Sequence, residues 1–274
     1  MIDWTNIIKR PSDLRGFQPC SNENCAAGRW RLWSRRGSGI HLNDKWFCSE
    51  TCLEAALSLL LDNPSRVEGD RRPSAHRLPL GLLMLSRGII DEDQLKAALA
   101  VQNERPRLKI GQCLEKLGAV SGKEVTRALG AQHCLPVLVA FQPELESGIP
   151  LTLLQASRCV AFSGNYHVGM TYMGFDGPVD RSLLAAVEFI LGVQCEPCIV
   201  DSLVIEEHLE ASHLRRRPDE IVFDSTHSKA DIVRSIGSYA HQIRADLVRL
   251  ATTRQYLWAQ VRGNRKLDLL FVAR

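Results

Sequence analysis

No stretch of the 274 residues approaches the ~18 consecutive apolar residues of a membrane-spanning helix. The opening Met1-Ile-Asp-Trp-Thr-Asn-Ile-Ile-Lys-Arg also lacks the apolar core of a secretory signal. The expectation is a cytoplasmic chain without a membrane span. Charge of one sign is missing too: 34 basic residues face 31 acidic ones, a net +3 that is too mild by itself to argue for a nucleic-acid partner. The motifs of several enzyme classes are absent. There is no G-x-x-x-x-G-K-[ST] loop to cradle phosphates, no H-E-x-x-H and no G-x-S-x-G, and the eight histidines are scattered. The chain reads as a protein that is not an enzyme.

Cysteine, by contrast, is plentiful, with nine residues. Disulfides are disfavoured in a cytosolic protein, so metal ligation or apolar packing must account for them. Cys20-x4-Cys25 and Cys48-x3-Cys52 are two close pairs on either side of an intervening segment. Such pairs can bring four thiolates to one tetrahedral zinc ion. The role expected is structural, because a short segment has little core of its own and metal binding supplies ~10 kcal/mol or more of folding free energy. Glycines 28, 37 and 39 suit a connecting hairpin, and His41 is the one nearby residue able to replace a cysteine. Cys195-Glu-Pro-Cys198 lies between apolar stretches, with Pro197 fitting a strand edge or turn, and reads as packing rather than redox chemistry. Cys113 and Cys134 fall on apolar helix faces and are expected in the core.

Pattern divides the chain into five segments and an α+β fold. Residues 1–60 are an N-terminal Zn-knuckle segment ending in a helix from Cys52, and 61–75 a charged, Pro- and Gly-bearing linker. Residues 76–138 show apolar 3–4 spacing broken at Gly88 and Gly118, a helical tandem-motif subdomain. Residues 139–213 mix strands and helices as a small α/β subdomain. There Cys159-Val-Ala-Phe and His167-Val-Gly-Met-Thr-Tyr form a hairpin, and a helix from Asp180 stops at Gly192. Residues 214–274 open on Arg215-Arg-Arg-Pro218 and continue as strand, long helix and three strand-like stretches, a C-terminal α/β unit.

The helical segment is a repeat. Leu80-Gly-Leu-Leu-Met-Leu-Ser-Arg-Gly88 with Gln94-Leu-Lys-Ala-Ala-Leu99-Ala-Val-Gln102 returns as Ile110-Gly-Gln-Cys-Leu-Glu-Lys-Leu-Gly118 with Glu124-Val-Thr-Arg-Ala-Leu129-Gly-Ala-Gln132. Each copy predicts a short helix, a glycine-stopped turn, an apolar pair and a second helix capped by Asp91 or Ser121. The two copies should pair into one compact bundle.

These motifs resemble the tandem R-L-G-x-x-L…G…Q-L-x-x-A-L-x-x-Q units of the MshEN domain, the N-terminal domain of type II secretion and type IV pilus ATPases of GspE and MshE type. The likeness extends from about 76 to 212 through Ile149-Pro-Leu, Cys159-Val-Ala-Phe, Gly177-Pro-Val-Asp180 and Val193-Gln-Cys-Glu-Pro197. More weakly, Ala245-Asp-Leu-Val-Arg-Leu and the stretches after it resemble the domain that follows in those ATPases, with its polar residues lost.

The resemblance implies two functions. One is an adaptor or regulatory protein that binds components of secretion or pilus machinery and is drawn to the inner membrane by them. The alternative is a cyclic di-GMP receptor, whose implied site is Leu80, Gly81, Gln94, Leu95 and Gln102 of the first copy with Lys109, Gly111 and Gln132 of the second. In such domains each copy supplies an Arg and a Gln. Here the Arg positions hold Pro79 and Lys109, and one Gln position holds Glu124, leaving Arg77 or Arg107 as substitutes. The glycines are expected to let a ligand approach the backbone. A further alternative, a Zn-dependent DNA-binding regulator, rests on Arg29, Arg31, Arg35 and Arg36 interleaved with Trp30 and Trp33. Arg and Trp also anchor protein interfaces, which is the reading favoured.

Overall fold

A computed structural model describes residues 19–25, 39–62, 77–139, 147–163, 169–213, 219–224 and 227–273. In chain order these form β1 (Ile40–Leu42), β2 (Lys45–Phe47) and α1 (Glu50–Asp62), then α2 (Leu80–Ser86), α3 (Glu92–Glu104), α4 (Ile110–Lys116) and α5 (Gly122–His133). Next come α6 (Leu151–Ala156), β3 (Cys159–Ser163), β4 (Met170–Phe175), α7 (Arg181–Leu191), β5 (Gln194–Ile199) and α8 (Ser202–His213). Last are β6 (Glu220–Phe223), α9 (Lys229–Gln242), β7 (Leu247–Thr252), β8 (Tyr256–Arg262) and β9 (Lys266–Val272). The mixture is α+β, as the patterning predicts. One sheet has the strand order β2-β1-β7-β8-β9-β6 and the other β3-β4-β5. No described helix is long and apolar enough to cross a membrane.

Contacts separate two units. The first draws on Met1–Pro64, His227–Arg249 and Gln260–Lys266, and the second on Ser65–Thr226, Leu250–Ala259 and Leu267–Arg274. Described residues from both the first and the last sequence segments therefore fall in the first unit. Within it, β1 pairs antiparallel with β2 around Asn43, whose φ of 53° makes the tight turn, and parallel with the start of β7. The hairpin thus lies at 40–47; Gly28 and Gly37 are outside the described residues. Gly39 has a packing reason: a Cβ there would sit 2.0 Å from the Trp46 ring nitrogen. Ser49 Oγ accepts the Cys52 N–H at the start of α1, which buries Cys52, Leu53 and Leu57. The helix packs on α9, where Gly237 leaves room for Glu54. Lys229–Asp62 and His241–Glu50 pair at their ends.

The second unit holds the repeat. Helices α2 and α4 both stop in left-handed turns at Gly88 and Gly118, with φ of 66° and 69°. Asp91 and Ser121 cap α3 and α5, each in a reciprocal capping box with Gln94 or Glu124. Met84, Ile90 and Ala98 share one core with Leu114, Val120 and Ala128, their counterparts thirty positions on. The paired bundle read from the sequence is present.

Beyond it, β3 and β4 run antiparallel, and β5 joins β4 in parallel as an edge strand that tolerates Pro197. The β3–β4 turn, 164–168, lies outside the described residues. Asp180 caps α7, and Gly192, at φ 72°, ends it. The core joins Leu183, Val187 and Ile190 to Phe175, Trp258 and Leu270. Glu220 of β6 accepts the Leu151 and Thr152 N–H groups that open α6. Cys113, Cys159, Cys195 and Cys198 are buried, as apolar packing predicts. Cys134 is not in the core: it is exposed, at φ 54°, in the left-handed cap of α5. Its side chain stands where the helix ends, so the apolar face stops short of it.

Candidate metal centre and tandem-motif site

The Sγ atoms of Cys20, Cys25, Cys48 and Cys52 all lie within 4.8 Å of one another. Cys25 and Cys48 are 3.5 Å apart, and Cys48 and Cys52 3.9 Å. The x4 turn forms because Asn22 accepts the Cys25 N–H on its carbonyl and the Asn24 N–H on its side chain. Its amide Nδ2 then donates to Cys52 Sγ at 3.4 Å. Ser21 N–H donates to Trp46 O, which sets the turn beside the hairpin. Cys48 lies two residues before α1 and Cys52 in its first turn, so one helix start presents both of these sulfurs. Burial and the neighbouring thiols push Cys48 up to about 12. Burial would raise Cys52 as well, but bonds from Ser49, Asn22 and the other thiols bring it down to about 7. The four sulfurs have the spacing to hold a metal ion, and His41, on β1, is not part of the group. Arg29, Trp30, Arg31, Trp33, Arg35 and Arg36 are outside the described residues.

The residues implied for a dinucleotide site are brought into one bundle, but most already have work inside it. A Cβ on Gly81 would meet Leu95 Cδ1 at 2.7 Å, and one on Gly111 would meet Val125 Cγ1 at 2.7 Å. Both glycines and Leu95 are buried. The glycines therefore serve helix packing, a reason other than ligand approach. Leu80, half-buried, packs on the same core. Gln94 Oε1 accepts the Asp91 N–H as the return half of the capping box. Gln102 Nε2 donates to Leu108 O at 3.0 Å, and Gln132 Nε2 to Leu78 O at 2.7 Å. These two bonds are counterparts: the final glutamine of each copy grips the backbone just ahead of the other copy's first helix. Glu124 fills in its own copy the capping role of Gln94, and its carboxyl is held below the usual range by the Ser121 N–H and hydroxyl. Arg77 donates to His133 Nδ1 at 2.8 Å; burial and that guanidinium hold the imidazole low. Arg107 is exposed in the turn before α4.

Lys109 is the exception, because its partner lies outside the repeat. Its Nζ is 3.0 Å from Oδ1 of Asp176, a carboxylate with only 6% of its side chain exposed. Arg158 donates to the other oxygen through Nε at 2.9 Å and Nη2 at 2.6 Å, and reaches Glu206 at 3.1 Å. The sequence reading did not single out Asp176, Arg158 or Glu206. Their separation along the chain hides the cluster, and the acidic residue just ahead of Gly177-Pro178 was the only visible cue.

No family model and no curated protein matches the chain. Solved structures do. A structure of MshE with cdg is 22% identical, with a TM-score of 0.40, covering 50% of this chain and 99% of that one. The N-terminal domain of XpsE, in one crystal form, is 15% identical with a TM-score of 0.33, covering 48% of this chain and 92% of that one. In another form the values are 19% and 0.27, with 52% and 98% covered. Each of these similarities covers about half of this chain.

Proposed function

We propose that this chain is a non-catalytic adaptor or regulatory protein that binds partner proteins of secretion or pilus machinery and is recruited by them to the inner membrane. The observation that carries the reading is the commitment of the motif's polar side chains. Gln94 accepts an N–H from backbone within the bundle, and Gln102 and Gln132 each donate to a backbone carbonyl there, which gives these side chains a structural role. Among its outward-facing residues the bundle also shows leucines: Leu78, Leu82, Leu99 and Leu117 are each about half exposed. Single exposed leucines are ordinary, so the test must read binding directly. Purified chain is sedimented with inner-membrane vesicles from cells carrying or lacking a secretion or pilus system. Retention only with the system, lost in a Leu82→Glu/Leu99→Glu variant that still folds, is the expected result. Equal retention on both vesicles overturns the reading. In this function the four cysteines hold one zinc ion as a structural cofactor.

A second reading, a receptor for cyclic di-GMP, is favoured by one feature. Lys109 is half exposed, and Asp176 keeps the Arg158 fork if Lys109 turns away to a phosphate. Calorimetric titration of the full chain with cyclic di-GMP decides it. Heat that saturates with ligand and disappears in Lys109→Met supports the receptor, and no heat at millimolar ligand removes it.

A further inference from the structure

The four cysteines can do more than bind an ion. We infer that they form a closed tetrathiolate zinc centre that fastens residues 20–25 to the first unit, with Asn22 as a positioning residue; this rests on the reading of the cysteines as zinc ligands. The distances support four ligands on one centre. With Zn–S bonds of ~2.3 Å, tetrahedral geometry sets sulfur neighbours ~3.8 Å apart. The observed 3.5 and 3.9 Å match that spacing and exceed the ~2.05 Å of a disulfide. Four thiolates complete a tetrahedron and leave no open position, so the ion's role is structural.

Donors aim at the sulfurs as they would at thiolates. Asn22 Nδ2 donates to Cys52 Sγ, while the backbone N–H groups of Asn22 and Cys48 donate to Cys20 Sγ. Such outer bonds orient ligands and tune a metal site. Asn22 does this from a loop its own oxygens shape, so it couples turn geometry to the fourth ligand.

The fastening follows from what the knuckle lacks. Cys20-Ser-Asn-Glu-Asn-Cys25 contains no apolar side chain except its cysteines. Among the described residues, its bonds to the rest of the unit run through sulfur apart from Ser21 N–H to Trp46 O. Hydrophobic burial cannot hold such a segment. The ion does, and it also ties the segment to the start of α1, the helix that packs on α9.

The experiment uses the whole 274-residue chain purified in a reducing, metal-free buffer. Elemental analysis should find about one zinc per chain, and cobalt substitution should give the intense visible bands of a tetrathiolate site. Zinc is then displaced with a mercurial and chelator, the mercurial is reversed with excess thiol, and hydrogen exchange is read by peptide. Peptides covering 19–25 and 45–62 should lose protection, whereas those covering 80–133 keep it. Asn22→Ala should retain one zinc and release it to a chelator several-fold faster. Iron in place of zinc, or well under one equivalent with 19–25 still protected, overturns the zinc reading. One zinc whose removal leaves exchange in 19–25 and 45–62 unchanged overturns the fastening alone. Unaltered release from Asn22→Ala overturns its positioning role.

Discussion

Gly81 and Gly111 occupy matching positions, yet their neighbours differ in what they can yield. Leu95 can swing its far end away from a new methyl group, whereas the β-branched Val125 has little rotamer freedom. Alanine gains ~1 kcal/mol of helix propensity at either site, against ~1–3 kcal/mol for overpacking. Gly111→Ala should therefore destabilise the bundle and Gly81→Ala should be close to neutral, as measured by urea denaturation. Equal effects would show that the two copies pack alike. Asp91→Ala removes the cap of α3 and should cost about 1 kcal/mol in the same measurement. Glu124 carries a pH dependence. Its folded-state value is depressed by the Ser121 bonds, so the stabilisation is present above the unfolded value of 4.5 and is lost as pH falls through the folded one. Exchange at the start of α5 should accelerate on acidification in the natural chain, and less steeply in Glu124→Gln. An identical acid response in the two proteins would mean that other carboxylates govern it.

The helices themselves carry the coupling between copies. Each copy's last glutamine bonds ahead of the other copy's first helix, so Gln102→Ala and Gln132→Ala should each loosen both copies. Each deletion removes one side-chain hydrogen bond to a backbone carbonyl, an effect of ~1 kcal/mol, and exchange should rise around Leu108 and Leu78 respectively. Exchange that rises only within the mutated copy would contradict the reciprocity. The same elements decide the ligand question. If a cyclic dinucleotide binds, Pro79→Arg with Lys109→Arg should raise affinity by ~1–3 kcal/mol through charge-assisted bonds. An arginine at 109 still faces Asp176, however. Adding Asp176→Asn should therefore increase the gain, and calorimetry showing no further gain would mean that Asp176 does not compete. Much of this element level is legible in sequence: caps, glycine stops and the thirty-residue offset are all local. The destinations of Lys109 and Gln132 are not, because Asp176 and Leu78 are brought near them only by packing.

For the molecule as a whole, the absence of a phosphate-cradling loop predicts no nucleotide turnover, and ATP hydrolysis above background by clean protein would overturn that. The units should also respond separately to damage. Loss of the knuckle should spare the tandem repeat, since exchange in 80–133 depends on a core drawn from the repeat's own residues. Sequence alone determined the α+β class, the repeat with its caps and glycine stops, and the four clustered cysteines, because periodicity, capping and ligand spacing act over a few neighbouring residues; it opened the first helix at Cys52, whereas α1 begins at Glu50. Tertiary structure decided the rest. It set α1 against α9 within one unit, turned the motif's glutamines onto backbone carbonyls and placed Lys109 on a buried carboxylate. Those outcomes depend on which distant groups packing brings within bonding reach, and a buried carboxylate such as Asp176 takes the nearest donors that packing provides.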